Sequence, residues 1–220
     1  CEPERLIAWM GLQRRMRQRF PAEVFATGFS PVKRPRVRRY FAGSTVHFVS
    51  SPESAPAGAT LAVWGRREVE ADVRLIRIED GFLRSVGLGA DLVRPLSWVM
   101  DDLGIYYDAT RPSRLEQLLQ DSAFDVPLLA RAAALRETIR RHGLTKYNVG
   151  AGHWRRPAAA ERVILVPGQV ESDASIAWGA PGVKRNIELL QAVRAANPDA
   201  HVIYKPHPDV AAGYRRGAIR

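Results

Sequence analysis

Cysteine is nearly absent from the 220-residue chain: Cys1 is the only one, so no internal disulfide framework, thiol redox site or cysteine-based zinc site can be built. No apolar run approaches the roughly 20 residues that a membrane-spanning helix needs. The first residues also lack the basic, apolar and small-residue order of a signal peptide. The expectation is an intracellular, cytoplasmic protein whose contact with any membrane is peripheral. Motif absences narrow the chemistry further. No Walker A loop, nucleophile elbow or His-based zinc spacing occurs, which removes the usual support for an ATPase, a serine hydrolase or a zinc hydrolase. Ser85-Val86-Gly87-Leu88-Gly89-Ala90-Asp91 is glycine-rich but lacks the third glycine of the dinucleotide fingerprint; it can serve as a backbone-donor loop near an anion. No cofactor and no metal is assigned: the carboxylates permit a divalent ion, but no ligand spacing demands one.

What is present is a chain rich enough in apolar residues, 46%, to bury a core in one large or two small domains. It carries 33 Lys+Arg against 23 Asp+Glu, a net +10, and such a surface attracts nucleic acid, acidic headgroups, or phosphorylated and carboxylated small molecules. The basic stretch Lys33-Arg34-Pro35-Arg36-Val37-Arg38-Arg39-Tyr40 has few interleaved aromatics and no nucleic-acid module around it. It reads as a solvated or lipid-facing surface, and no nucleic-acid partner is expected.

Residues 4–19 place Leu6, Ile7 and Met10 at helical spacing with Arg14, Arg15, Arg17 and Arg19 opposite: a basic amphipathic helix, packed on its own domain or docked on an anionic membrane. Short apolar runs at Val46–Val49, Leu61–Trp64 and Leu75–Ile78 predict buried parallel strands. Pro95–Asp108 holds two apolar stretches broken by Asp101-Asp102-Leu103-Gly104, which predicts a hairpin-like turn. Helices are predicted from near Ser113 and from Pro127 to His142, where Gly143 supplies the stop. Residues 150–161 break every periodicity and read as a linker. A strand at Arg162–Val166, a helix at Asn186–Ala196 and a strand at His201–Tyr204 then form a βαβ unit. The expected organisation is an N-terminal Rossmann-like α/β domain over residues 1–155 and the incomplete start of a second over 156–220.

Parallel sheets bind ligands beyond the carboxyl ends of their strands, which singles out three segments. Glu79-Asp80-Gly81 puts adjacent carboxylates at a strand end; successive side chains point opposite ways, so at most one faces a given pocket. One of them can instead cap a helix or pair with Arg84. Gln169, Glu171 and Asp173 alternate after the strand at 162–166; extended, they share a face, and in a helix Gln169 and Asp173 do. They can equally be a solvated helix start favoured by the dipole. Lys205-Pro206-His207-Pro208 presents an imidazole rigidly beside an ammonium, suited to a phosphate or carboxylate oxygen. A purely structural His-Pro turn is the alternative.

These strings also carry a resemblance. Ile78-Glu79-Asp80-Gly81-Phe82-Leu83-Arg84-Ser85, Gly104-Ile105-Tyr106-Tyr107-Asp108, Leu144-Thr145-Lys146-Tyr147-Asn148, Pro167-Gly168-Gln169-Val170-Glu171-Ser172-Asp173 and Lys205-Pro206-His207-Pro208 occur in this order. The chain from Ala26 to Val210 thereby resembles the KpsC family of capsular polysaccharide proteins. The resemblance implies a retaining β-Kdo glycosyltransferase of GT-B type, with two Rossmann-like domains, the second truncated here. It implies CMP-Kdo as donor, a lyso-phosphatidylglycerol-linked Kdo acceptor, other capsule assembly proteins as partners, and a peripheral place on the inner membrane. Retention requires a carboxylate nucleophile with a second acid/base group, or front-face attack. The roles assigned are Asp173 as nucleophile, Glu79 activating the acceptor hydroxyl, Asp80 orienting and His207 stabilising the departing phosphate, with exchange of roles among Glu79, Asp80, Glu171 and Asp173 left open. Lys205, Gln169, Glu171 and Arg84 bind substrate. The competing expectation is a non-catalytic saccharide-binding or export subunit.

Overall fold

The computed structural model describes residues 3–150 and 154–219. Its contacts gather into two units, one of residues 1–79, 98–105 and 112–119, the other of 80–97, 106–111 and 120–220.

The first unit opens with α1 (Pro3–Arg17), followed by β1 (Glu23–Thr27), α2 (Arg34–Tyr40), β2 (Thr45–Phe48), β3 (Thr60–Trp64), β4 (Arg74–Asp80), β5 (Trp98–Asp101) and α3 (Arg114–Asp121). The five strands form one sheet in the order β2-β1-β3-β4-β5. β1 pairs in parallel with β2 and β3, and β3 with β4, in the register Leu61↔Leu75 and Val63↔Arg77. Because side chains alternate across a strand, Val24 and Ala26 of β1 and Ile76 and Ile78 of β4 pack on one face with Val37 of α2 and Phe41, the residue that ends it. Each such buried valine, isoleucine or phenylalanine side chain contributes about 1.5–3 kcal/mol. The alternate residue Arg77, only 4% exposed, donates instead to the carbonyls of Gly65 and Arg67.

Several sequence expectations are corrected here. The basic stretch keeps its solvent-facing arginines, Arg34, Arg38 and Arg39 being exposed, but Arg34–Tyr40 folds as α2, whose Val37 is buried and whose Arg34 and Arg38 guanidiniums lie 5.0 and 4.9 Å from the Phe48 ring centroid. No hairpin forms at Asp101. Its buried carboxylate accepts from the backbone N–H groups of Leu103 and Gly104, both at 2.9 Å, and of Arg114 at 2.9 Å, which turns the chain into α3. Ser113 and Glu116 complete that start reciprocally as a capping box. The apolar face of α1 is not packed on its unit: Leu6, Ile7, Trp9 and Met10 are at least half exposed.

The second unit contains α4 (Val126–Arg141), β6 (Val163–Pro167), α5 (Ala174–Gly179), α6 (Asn186–Ala196), β7 (His201–Lys205) and α7 (Pro208–Ala211). Asp125 caps α4, accepting from the Leu128 N–H. Gly143, at φ 59°, takes the left-handed conformation that ends it. β6 and β7 pair in parallel from Val163↔His201 to Pro167↔Lys205, as the βαβ reading expects. Of the linker at 150–161, residues 151–153 lie outside the described residues. The fold is mixed α/β with parallel sheet pairing. No helix among the described residues is long and apolar enough to cross a membrane.

Candidate active site

The site residues of the second unit are assembled by a buried guanidinium. Arg84 is 6% exposed, and a buried charge persists only with partners. Its Nε donates to Asp80 Oδ2 at 2.6 Å, and its Nη1 to Ser85 Oγ at 2.9 Å and the Val93 carbonyl at 3.1 Å. Gly89 makes room for it: a Cβ there would stand 3.0 Å from Nη2. Asp80 therefore pairs with Arg84, as one sequence alternative allowed, and the guanidinium is committed to shaping the 80–97 loop.

That loop is stitched to a distant turn. The Lys146 carbonyl accepts from the N–H groups of Arg84 (2.8 Å) and Ser85 (3.1 Å), and the Tyr147 carbonyl from that of Gly87 (2.8 Å). The turn holds itself together: Thr145 N–H donates to Asn148 Oδ1, and Asn148 N–H to Thr145 Oγ1, each at 2.9 Å. Tyr147 is thus set with its ring centroid 6.0 Å from that of His207, edge to face.

His207 follows β7 and caps α7, its Nδ1 accepting from the Asp209 N–H at 3.1 Å. An accepting Nδ1 leaves the proton of the neutral ring on Nε2, which becomes a donor. Burial pushes the imidazole below its ordinary value; Lys146 and Arg215 press the same way, against Asp209 and Asp173. Burial also raises the Tyr147 hydroxyl to about 12, helped by the carboxylates of Asp209, Asp80 and Asp173 and opposed by Arg84. Around one tyrosine, then, the structure gathers Asp80, Arg84, Asp173, His207 and Asp209.

Asp173 is the cap of α5, with Oδ1 accepting from the Ser175 N–H (2.9 Å) and hydroxyl (2.8 Å). The expected shared face of Gln169, Glu171 and Asp173 does not form, because a turn at 171–172 separates them. Glu171 Oε1 accepts from the Asn186 N–H at 2.8 Å. Gln169 is held by its backbone, N–H to Asn186 Oδ1 and carbonyl to Asn186 Nδ2, both at 2.8 Å. Lys205 ends β7 with its residue exposed, and Glu79 closes the sheet unit half-buried at the end of β4. Among the described residues no three His, Cys, Asp or Glu side chains are placed to hold a metal ion.

Sequence reasoning singled out neither Tyr147, Asn148, Asp209 nor Asn186 as site residues. The usable signal was spacing: Thr145 and Asn148 stand three apart just past a helix stop, and Asp209 stands two past a rigid histidine.

Comparison with known proteins adds the following. The family model described as "Capsule polysaccharide biosynthesis protein" matches residues 64–219. The capsule polysaccharide modification protein LipA of Neisseria meningitidis is 41% identical over 97% of this chain, which spans 32% of LipA. The lipopolysaccharide-processing protein LpsZ of Rhizobium meliloti is 40% identical over 86% of this chain and 48% of its own length. Two solved structures of Thermosulfurimonas dismutans KpsC are similar. The beta Kdo 2,4 transferase has TM-score 0.75 at 33% identity over 89% of this chain and 64% of its own. The beta Kdo 2,7 transferase has TM-score 0.69 at 38% identity over 86% and 62%. The chain thus spans about a third of LipA and under two thirds of each KpsC structure.

Proposed function

The chain belongs to the capsule polysaccharide biosynthesis protein family, and from that premise we propose that it transfers Kdo from CMP-Kdo, with retention, to a Kdo-bearing lyso-phosphatidylglycerol acceptor during capsule linker synthesis. The observation that carries the reading is the gathering of Asp80, Arg84, Asp173 and His207 around Tyr147. The names and folds of the KpsC transferases support it.

In this reading the architecture is GT-B: a first Rossmann-like domain over 1–155, and from 156 the opening of the nucleotide-binding domain. Retention follows from two displacements. Asp173 Oδ2, the oxygen not used in capping, attacks the anomeric carbon as the bond to the phosphate breaks. CMP leaves with the electron pair, and His207 Nε2–H donates to the phosphate oxygen on which the charge develops. An acceptor hydroxyl, its proton taken by Glu79, then displaces the carboxylate. Asp80 keeps Arg84, and with it the loop, in place. Gln169, Glu171 and Lys205 line the approach of the nucleotide. The reaction calls on no cofactor. The protein works in the cytoplasm at the inner-membrane surface beside other capsule assembly proteins, α1 offering exposed Leu6, Ile7, Trp9 and Met10 with Arg14, Arg15 and Arg17 to acidic lipid.

The test is acceptor-dependent release of CMP from freshly made CMP-Kdo. Asp173→Asn is expected to abolish it while keeping the fold, because the amide oxygen still accepts from Ser175. Full activity in that variant sinks the nucleophile assignment. Saccharide binding without any CMP release by the wild type favours the binding-subunit reading.

A further inference from the structure

An anionic sugar nucleotide entering this site meets three carboxylates, Asp80, Asp173 and Asp209, around Tyr147 and His207. Something must offset their repulsion, since like charges at close range oppose binding. Arg84 cannot, because its guanidinium is spent on Asp80, Ser85 and Val93. Lys146 can. Its Nζ stands 5.4 Å from the Tyr147 ring centroid, its charge reaches His207, and among the described residues it has no hydrogen-bond or ion-pair partner. The Tyr147 hydroxyl likewise has no hydrogen-bond partner among the described residues, and it stays protonated at any physiological pH. A protonated hydroxyl is a neutral donor, and an anion brings it an acceptor without adding charge on the protein side.

The turn that carries both residues is built to hold them still. Thr145 and Asn148 close it from within, the carbonyls of Lys146 and Tyr147 are pinned by Arg84, Ser85 and Gly87, and Asn148 Nδ2 donates to the Ser85 carbonyl at 2.9 Å. Such pre-organisation lowers the ordering cost of binding.

We propose that Lys146 and Tyr147, consecutive on the 144–148 turn, form with His207 the receptor for an anionic oxygen of the sugar nucleotide. The oxygen belongs to its phosphate or to the carboxylate of its sugar acid. Lys146 supplies the charge, Tyr147 and His207 supply directional donors, and Thr145 and Asn148 are positioning residues. The inference rests on the CMP-Kdo reading above.

The experiment titrates CMP and measures initial rates with CMP-Kdo for the full chain and three variants. Lys146→Met keeps the stem without the charge, Lys146→Arg keeps the charge, and Tyr147→Phe keeps the ring packed against His207. Lys146→Met is expected to weaken binding about tenfold and Lys146→Arg to restore it to within about threefold. Tyr147→Phe is expected to raise the donor KM about tenfold with kcat within about threefold of wild type. Weakened CMP binding assigns the anion to the phosphate. Unchanged CMP binding with a raised donor KM assigns it to the sugar carboxylate. Lys146→Met and Tyr147→Phe both within about twofold of wild type in each measurement overturn the proposal. A wild type that binds CMP but transfers nothing overturns the transferase reading instead, and the CMP titration of the variants then still decides the receptor.

Discussion

The side-chain amide of Asn148 donates to the Ser85 carbonyl, 63 positions earlier in the chain, at 2.9 Å. It does so from a left-handed backbone at φ 50°, a conformation that asparagine tolerates better than most residues. The same side chain accepts from Thr145 N–H, so one residue closes a turn and fastens it to the Arg84 loop. Asn148→Ala removes both bonds and leaves the strained backbone, a loss of about 1–3 kcal/mol. Asn148→Gly relieves the strain and should lose less. Urea unfolding of the three proteins checks the ranking; an alanine variant as stable as wild type refutes it.

Asp101 is 2% exposed and satisfies three backbone N–H groups on two segments of the sheet unit. Asp101→Ala orphans those donors together, and we expect about 2–4 kcal/mol of destabilisation. CMP affinity should stay at the wild-type value, because the residue holds α3 rather than the candidate site. A large loss of affinity in a protein that remains folded contradicts this division of labour.

Two ionisable groups give opposite pH signatures. His207 titrates lower when folded than the ordinary value of 6.5, so the unfolded chain binds its proton more readily. Its contribution to stability is complete above about pH 6.5 and is lost as pH falls through the folded value. Protonation also occupies the Nδ1 lone pair that caps α7. The fall in melting temperature on acidification should be shallower in His207→Gln than in wild type; parallel curves mean that His207 is not the group responsible.

Tyr147 works at the alkaline end. Its pKa is raised from 10.0 to about 12, so the unfolded chain loses the proton first. The contribution is present below about pH 10 and is lost as pH climbs toward 12. Comparing denaturation midpoints at neutral and strongly alkaline pH, Tyr147→Phe should decline less than wild type. An equal decline assigns the alkaline transition elsewhere.

Gly168 is buried against the Tyr204 ring, and a Cβ at 168 would overlap the phenol. Gly168→Ala must displace that ring at the end of the β6–β7 pair, at a cost of about 1–3 kcal/mol. The Tyr204 hydroxyl is buried with no hydrogen-bond partner among the described residues. Tyr204→Phe should therefore be neutral or stabilising, and should soften the effect of Gly168→Ala in the double variant. Additive losses in a double-mutant cycle would show that the two positions do not clash.

The strands β2, β3, β4, β6 and β7 were legible because each holds a short, mainly apolar run, that of β4 interrupted by Arg77, the mark of parallel pairing. The helix at Asn186–Ala196 was legible from its period. β1 was not: Glu23–Thr27 has three apolar residues between polar ends, and it becomes a strand through pairing with β2 and β3 on either side. Charge obscured α2, whose single buried residue, Val37, is surrounded by arginines. In the site, the strand-end rule found Asp80, Asp173 and His207. It had no means of finding Lys146, Tyr147 and Asn148, which follow a helix rather than a strand and join the site through hydrogen bonds to a loop some sixty residues away. Alternation grouped Gln169 and Glu171 with Asp173, yet periodicity presumes a regular backbone, and Asn186 breaks it locally.

That break leaves one side chain doing the work of a strand. Asn186 faces Gln169 as a neighbouring strand would, accepting from its N–H and donating to its carbonyl, while its second amide hydrogen reaches the Gly217 carbonyl at 2.9 Å. A single side chain thereby stands in for one rung of a ladder just past β6, where both backbone groups of Gln169 would otherwise lose these partners. Glutamine is too long for that place and aspartate has no donor, so position 186 satisfies the backbone beyond β6 with a chemistry only asparagine supplies.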